Sequence, residues 1–306
     1  MKFLIFLLLL VSTAANAQKN IAERLGYEKD AKLLIMHADD IGVAYSVNRA
    51  TIRAFEESGI SSASIMVPCP WFKDIVTYIE ENPGFDYGLH LTFTAEWENY
   101  KWDGVLPSSE IPSLINEEGY FYASVQEVVE NAKPEEVEKE LRAQVQRAID
   151  FGIDPTHLDS HMGTLFSHPE YFKSYQKVGK EYGIPVFVPI DRLGQSPQFA
   201  DLLDPWVIPV DRLYSVETDV KPDDWADFYG EVLNNMPSGL NEIIIHLAYD
   251  DEEMQAITVN HPDFGSAWRQ RDLDFVLSSD FKSLLKKNNI QLVTYRQIKE
   301  LLNQEK

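Results

Sequence analysis

From Lys32 onward, short apolar runs alternate with amphipathic stretches, and this alternation restricts the fold more than any other feature of the chain. Brief apolar runs bounded by turn residues read as strands, and strands that alternate with helical patterns read as βα units on a mainly parallel sheet. The candidate strands are 33–37, 63–67, 87–91, 156–159, 186–188, 243–247 and 291–294. Helical periodicity covers 47–57, 72–81, 134–151, 170–182, 223–235, 280–287 and 295–302. Pro134 suits a first helical position, and Gly152 closes the helix that ends at Phe151. About seven mainly parallel strands predict an α/β fold of the (β/α) barrel type, incomplete or distorted. Segments 92–133 and 190–221 fit neither pattern, and a barrel would carry them as loop insertions over its C-terminal face, where substrates bind.

Ahead of this pattern, Lys2 precedes an apolar run over 3–11 and small residues ending in Ala15-Asn16-Ala17. That order predicts a signal peptide over 1–17, since the run is too short to span a bilayer. The expectation is an exported protein, periplasmic or extracellular, whose residues 18–306 form one barrel domain with no membrane span. Asp and Glu total 49 against 27 for Lys and Arg, a net charge of −22 that repels nucleic-acid phosphates and anionic lipid. A neutral or cationic partner remains, or a local site whose charge is set by a metal. Cys69 is alone, so no internal disulfide forms, and nothing near it in sequence would activate a thiol. It reads as a buried, inert residue.

Polar clusters stand at the C-terminal ends of four candidate strands, and in parallel α/β architectures those ends converge on one face. After the first strand come Asp39 and Asp40, where one carboxylate can bind a cation and the other accept a proton from its water. Adjacent acids also serve as turn or helix-capping residues. Gly88 and His90 share a strand face, the glycine leaving room for a ligand, although a strand histidine also serves as a packed core residue. His157, Asp159 and His161 share a face of an extended segment, and the two histidines share one on a helical turn. That grouping suits a metal site in which Asp159 orients an imidazole from the second shell of ligands. His246 ends an apolar strand, where neutral-pH titration suits a general acid. His37, His168 and His261 read as turn or packing histidines. The segment 267–272 either shapes the pocket and orients His246 or carries surface ion pairs.

Taken together, Ala38-Asp39-Asp40-Ile41-Gly42, Gly88-Leu89-His90 and Thr156-His157-Leu158-Asp159-Ser160-His161 resemble the YdjC-like carbohydrate deacetylase family over most of the chain. Asn48 and the run 61–66 fall where that family has similar residues. The resemblance implies a distorted (β/α) barrel that removes acetyl groups from N-acetylated carbohydrate with a divalent metal ion, Mg or Zn first and Mn or Co next. Position by position it implies Asp40, His90 and His161 as ligands, with His157 as the alternative to His161, Asp39 as base and His246 as acid. The chain departs from the family pattern at 162–166 and at Leu247-Ala248, both bordering the expected substrate pocket. Trp97, Tyr100, Trp102 and Trp206 are candidates to stack on sugar rings, with core packing the competing role. Two other readings are a metal-containing glycan-binding protein without turnover and a metal-dependent barrel sugar isomerase. The first has no use for Asp39 beside a ligand carboxylate, and the second calls for more carboxylate ligands.

Overall fold

A computed structural model describes residues 20–193, 199, 202–204 and 206–304, so the expected signal peptide lies outside the described residues. The strands are β1 (Lys32–Ile41), β2 (Ser62–Ile65), β3 (Tyr87–Leu91), β4 (Leu158–Ser160), β5 (Val186–Pro189), β6 (Val207–Val210), β7 (Arg212–Tyr214), β8 (Gly239–His246) and β9 (Ile290–Leu292). Every pairing among them is parallel. Their order is β6-β5-β4-β3-β2-β1-β8-β7, with β9 beside the start of β1. Although β6 and β7 stand at opposite ends of that order, only Asp211 separates them in the chain. One extended segment therefore pairs with β5 on one side and β8 on the other, closing the sheet into the expected distorted barrel.

The count of about seven staves holds, but one stave is not where the pattern placed it. Residues 291–294 were expected to form the last stave, whereas β9 is a short adjunct to β1. The missing stave is 207–214, inside a segment expected to be an insertion. Pro209, Asp211 and Arg212 interrupt its apolar character, which hides the strand. Most predicted helices lie where periodicity put them, including Phe72–Glu81 and Pro134–Asp150, with Pro134 in the first turn. Helix Ser266–Leu277 escaped prediction because charged and apolar residues are mixed around it, and Trp268, Arg269 and Asp272 are all buried.

The period of two along β1 divides the molecule into an outer and an inner core. Leu34, Met36 and Ala38 join the outer cluster under the surrounding helices. Leu33 and Ile35 meet Phe187, Ile208, Val210 and Leu240 in an inner cluster that fills the barrel floor. Continuing that face, His37 and Asp39 point toward the C-terminal mouth. Trp97, Trp102 and Trp206 are buried, so packing is their role here and stacking on a sugar is not. Tyr100 is half-buried, and its hydroxyl donates to the Val43 carbonyl at 2.8 Å. Cys69 is buried among apolar groups, and that burial pushes its thiol well above the ordinary range.

Candidate metal centre

Adjacent strand residues ordinarily point to opposite faces, yet Asp39 and Asp40 both line the same cavity. A bulge explains this. Ala38 pairs with Ala63 and Ile41 with Ile65, so β1 carries one extra residue, and Asp40 takes a left-handed conformation with φ 68°. The loop beyond is held by Asn48, whose Oδ1 accepts from the Gly42 amide at 2.7 Å while its Nδ2 donates to Asp74 Oδ2 at 2.9 Å.

Three atoms converge at the barrel mouth. Asp40 Oδ1 lies 3.4 Å from His90 Nε2 and 3.3 Å from His161 Nδ1. Divalent first-row ions bond such atoms at about 2.0–2.2 Å, which separates the ligands around one ion by about 3.0–3.5 Å. Each imidazole is oriented from behind by a carboxylate. His90 Nδ1 meets Asp159 Oδ1 at 2.7 Å, and His161 Nε2 meets Glu96 Oε2 at 3.1 Å. When those nitrogens donate to the carboxylates, the facing nitrogens are left as lone-pair donors. Asp40 Oδ2 accepts from Arg269 Nη2 at 2.7 Å, and the buried Oδ1 has no hydrogen-bond partner among the described residues. An unpaired buried carboxylate oxygen beside two imidazole lone pairs fits a bound cation.

The electrostatics agree with this reading. Burial opposes the charged form of Asp40, but Arg269 and the two imidazoles outweigh it and hold the carboxyl well below its usual range. Burial likewise opposes a charged His161, while Glu96 and Asp40 pull its pKa up to about 9. His90 is raised well above its ordinary value by Asp39 and Asp159, against burial. An acid-rich cluster of this kind draws protons onto its histidines wherever no other cation balances it.

Asp39 stands beside the trio. Its Oδ2 is 3.7 Å from His90 Nε2 and 3.8 Å from His246 Nε2. Its Oδ1 is 3.1 Å from His37 Nε2, which also meets Asp159 Oδ2 at 3.0 Å. Burial disfavours a charged His37, but Asp159 and Asp39 raise its pKa to about 10. His37 is therefore more than the packing residue expected of it. The signal was present in the period of two, which puts His37 on the face of Asp39. His246 is partly exposed to the cavity, packs edge-to-face on Phe264, and is held near pKa 4 chiefly by desolvation. Its amide donates to Asp272 Oδ2 at 3.0 Å, so segment 267–272 fixes the end of β8 and supplies Arg269 to Asp40.

His157 lies deeper than His161 and does not join the trio. Its ring stacks on Tyr295 at 3.8 Å between centroids, and its Nδ1 meets Thr156 Oγ1 at 3.0 Å. Gly88 makes room for that ring and not for a ligand, since a Cβ there would stand 2.2 Å from His157 Cε1. His37, His157 and Asp159 form a second, fully enclosed group with donor atoms within 4.8 Å of one another. His168 caps helix Pro169–Tyr182, as a turn histidine would, whereas His261 lines the cavity mouth. Glu96 was not found from sequence, and Arg269 was marked only as part of segment 267–272, without its contact to Asp40. Both reach the site from loop or helix positions whose local pattern carries no mark of it.

A model of the YdjC-like protein family matches residues 33–287. The chain belongs to the YdjC-like family. Its relatives include a carbohydrate deacetylase of Thermus thermophilus, 30% identical over 92% of this chain and 99% of the relative. A carbohydrate deacetylase of Brevibacillus brevis is 29% identical over 87% of this chain and 99% of its own. A crystal structure of an Enterococcus faecalis protein ascribed to cellobiose-phosphate cleavage superposes with TM-score 0.73, at 22% identity, covering 88% of this chain and 99% of that one. The last likeness speaks to the fold. Among the described residues no helix is long and apolar enough to cross a membrane.

Proposed function

We propose that the chain is a metal-dependent hydrolase that removes acetyl groups from N-acetylated sugars, with Asp40, His90 and His161 holding the ion. The observation that carries this reading is the unpaired Asp40 Oδ1, facing two imidazole nitrogens whose partner nitrogens are tied to carboxylates. A bound divalent ion supplies charge that acidifies water and polarises the acetyl carbonyl. Asp39 Oδ2 faces the same space and accepts the water's proton, while Oδ1 is held from behind by His37. His246 stands 3.8 Å from Asp39 on the other side of the cavity mouth. With burial lowering its pKa to about 4, and not leaving it to titrate near neutrality, His246 rests neutral near pH 7 and protonates the leaving nitrogen by first taking up the proton that Asp39, 3.8 Å away, accepts from water. Two imidazoles and one carboxylate suit Zn, Mn or Co, with Mg also served by the carboxylate. The N-terminal segment supports export to the periplasm or beyond, tested by the N-terminal residue of the mature protein.

The test is acetate release from N-acetylated mono- and oligosaccharides, after chelation and then with Zn, Mg, Mn or Co restored singly. Activity lost with the chelator and regained with one ion is expected, with His161→Ala losing the ion and His157→Ala keeping it. Sugar binding without acetate under every ion would replace this reading with a glycan-binding protein.

A further inference from the structure

Resting on that hydrolytic reading, we propose that a second cavity, beyond His261, binds the neighbouring sugar of an oligosaccharide whose N-acetylated unit occupies the first. The second cavity measures about 460 Å³ beside the first of about 560 Å³, and His261 lines both. Phe264 and Trp268 back this partition with ring centroids 4.6 Å apart, Phe264 facing the first cavity and Trp268 the second. His261 is partly exposed, and Pro262 and Asp263 are exposed, so the partition reaches the surface and a glycan can cross it there. The ridge is held in place. The Thr258 carbonyl accepts from the His261 amide at 3.0 Å, Thr258 Oγ1 accepts from the Ser266 amide at 3.1 Å, and Arg269 Nε donates to the Phe264 carbonyl at 2.6 Å. Since Arg269 also donates to Asp40, one side chain ties the ridge to the proposed ion site. Helix Ser266–Leu277 serves the two cavities from different faces. Arg269 and Asp272 turn toward Asp40 and the end of β8, whereas Ala267, Trp268 and Arg271, spaced as neighbours on a helix surface, line the second cavity.

The lining selects the ligand. Asp250 and Asp263 are acidic, Arg271 is basic and lies 5.3 Å over the Trp225 ring, and Thr218 and Gln255 are neutral donors and acceptors. Both signs in one cavity disfavour a simple anion or cation and suit a neutral ring bearing hydroxyls, each of which donates and accepts. His261 Nδ1 donates to the Asp263 carbonyl at 2.7 Å, which leaves Nε2 an acceptor on the shared wall. Trp225 and Trp268 are buried beneath the cavity and leave recognition to these polar groups. In the first cavity Arg192 and Ser215 stand ready for hydroxyls of the N-acetylated unit itself.

The metal-loaded protein is tested on N-acetylglucosamine and on its β-1,4-linked dimer, with released acetate as the readout. The dimer is expected to exceed the monomer by about tenfold in kcat/KM, the yield of a few added hydrogen bonds. Equal values overturn the second cavity while leaving deacetylation in place. Acetate from neither sugar, with the ion bound, overturns the parent reading as well. Ala267→Trp fills the second cavity from an exposed helix position, and Arg271→Ala removes its cation. Each is expected to lower the dimer-to-monomer ratio about threefold or more. A ratio unchanged in both variants seats the second sugar elsewhere, against Arg192 and Ser215, and overturns the proposal.

Discussion

On the β1–β4 side of the barrel the inward positions are His37, Asp39, Ser64, His90, His157 and Asp159, whereas on the β5–β8 side Phe187, Pro189, Leu213 and Ile244 face inward below His246. The same period of two builds both walls. The first is desolvated and polar, and its groups are tolerable inside the barrel because nearly all of them pair with one another. Its exceptions include Asp40 Oδ1, which faces the cavity, and His157 Nε2, which does not. The second wall is held mainly by packing, with Glu242 its polar exception, buried below Ile244 and bonded by the Tyr295 hydroxyl. In the proposed mechanism the difference separates two tasks: the ion and the base on one side, and, below His246, shape and stability on the other.

Substitutions on the two sides are expected to fail in different ways. Asp39→Asn should lower turnover by about 10²–10⁴ through loss of the proton acceptor while the ion content is unchanged, as read by kinetics beside metal analysis. On the apolar wall, Phe187→Ala should cost about 3–5 kcal/mol of stability in urea unfolding, with ion affinity unaltered. Should Asp39→Asn instead unfold the barrel, the division of tasks would break.

Glu96→Gln sharpens the contrast, because the side chain supports His161 from behind. Ion affinity should fall about 10–100-fold in a competition titration, with the unfolding midpoint little moved. The smallest effect concerns pH. His161, with its pKa raised to about 9, must lose its proton to coordinate, so binding releases protons and affinity rises with pH up to that value. Between pH 7 and 8 the apparent Kd should tighten by roughly tenfold for each proton displaced, and a Kd independent of pH would contradict this.

The barrel was legible because β1, β3 and β8 each carry a long enough apolar or alternating run to mark a buried strand. Segment 207–214 was not, since closing a barrel takes partners on both sides and its own residues record neither. In the site, the residues at strand ends could be read by position alone. Glu96 and Arg269 act through contacts with His161 and Asp40 far away in the chain, which no local period reveals. Spacing left His157 and His161 equivalent. Their separation came from the end of β4, where the chain turns at His161 into a 3₁₀ segment with Met162 at φ 51°, lifting His161 to the mouth and leaving His157 beneath Gly88.

The central claim is that one ion sits on the polar wall at the mouth of the barrel. Anomalous diffraction from crystals soaked in Zn or Mn tests it most directly. The account predicts a single strong peak within bonding distance of Asp40 Oδ1, His90 Nε2 and His161 Nδ1. A peak between His37, His157 and Asp159, with none at Asp40, would contradict it.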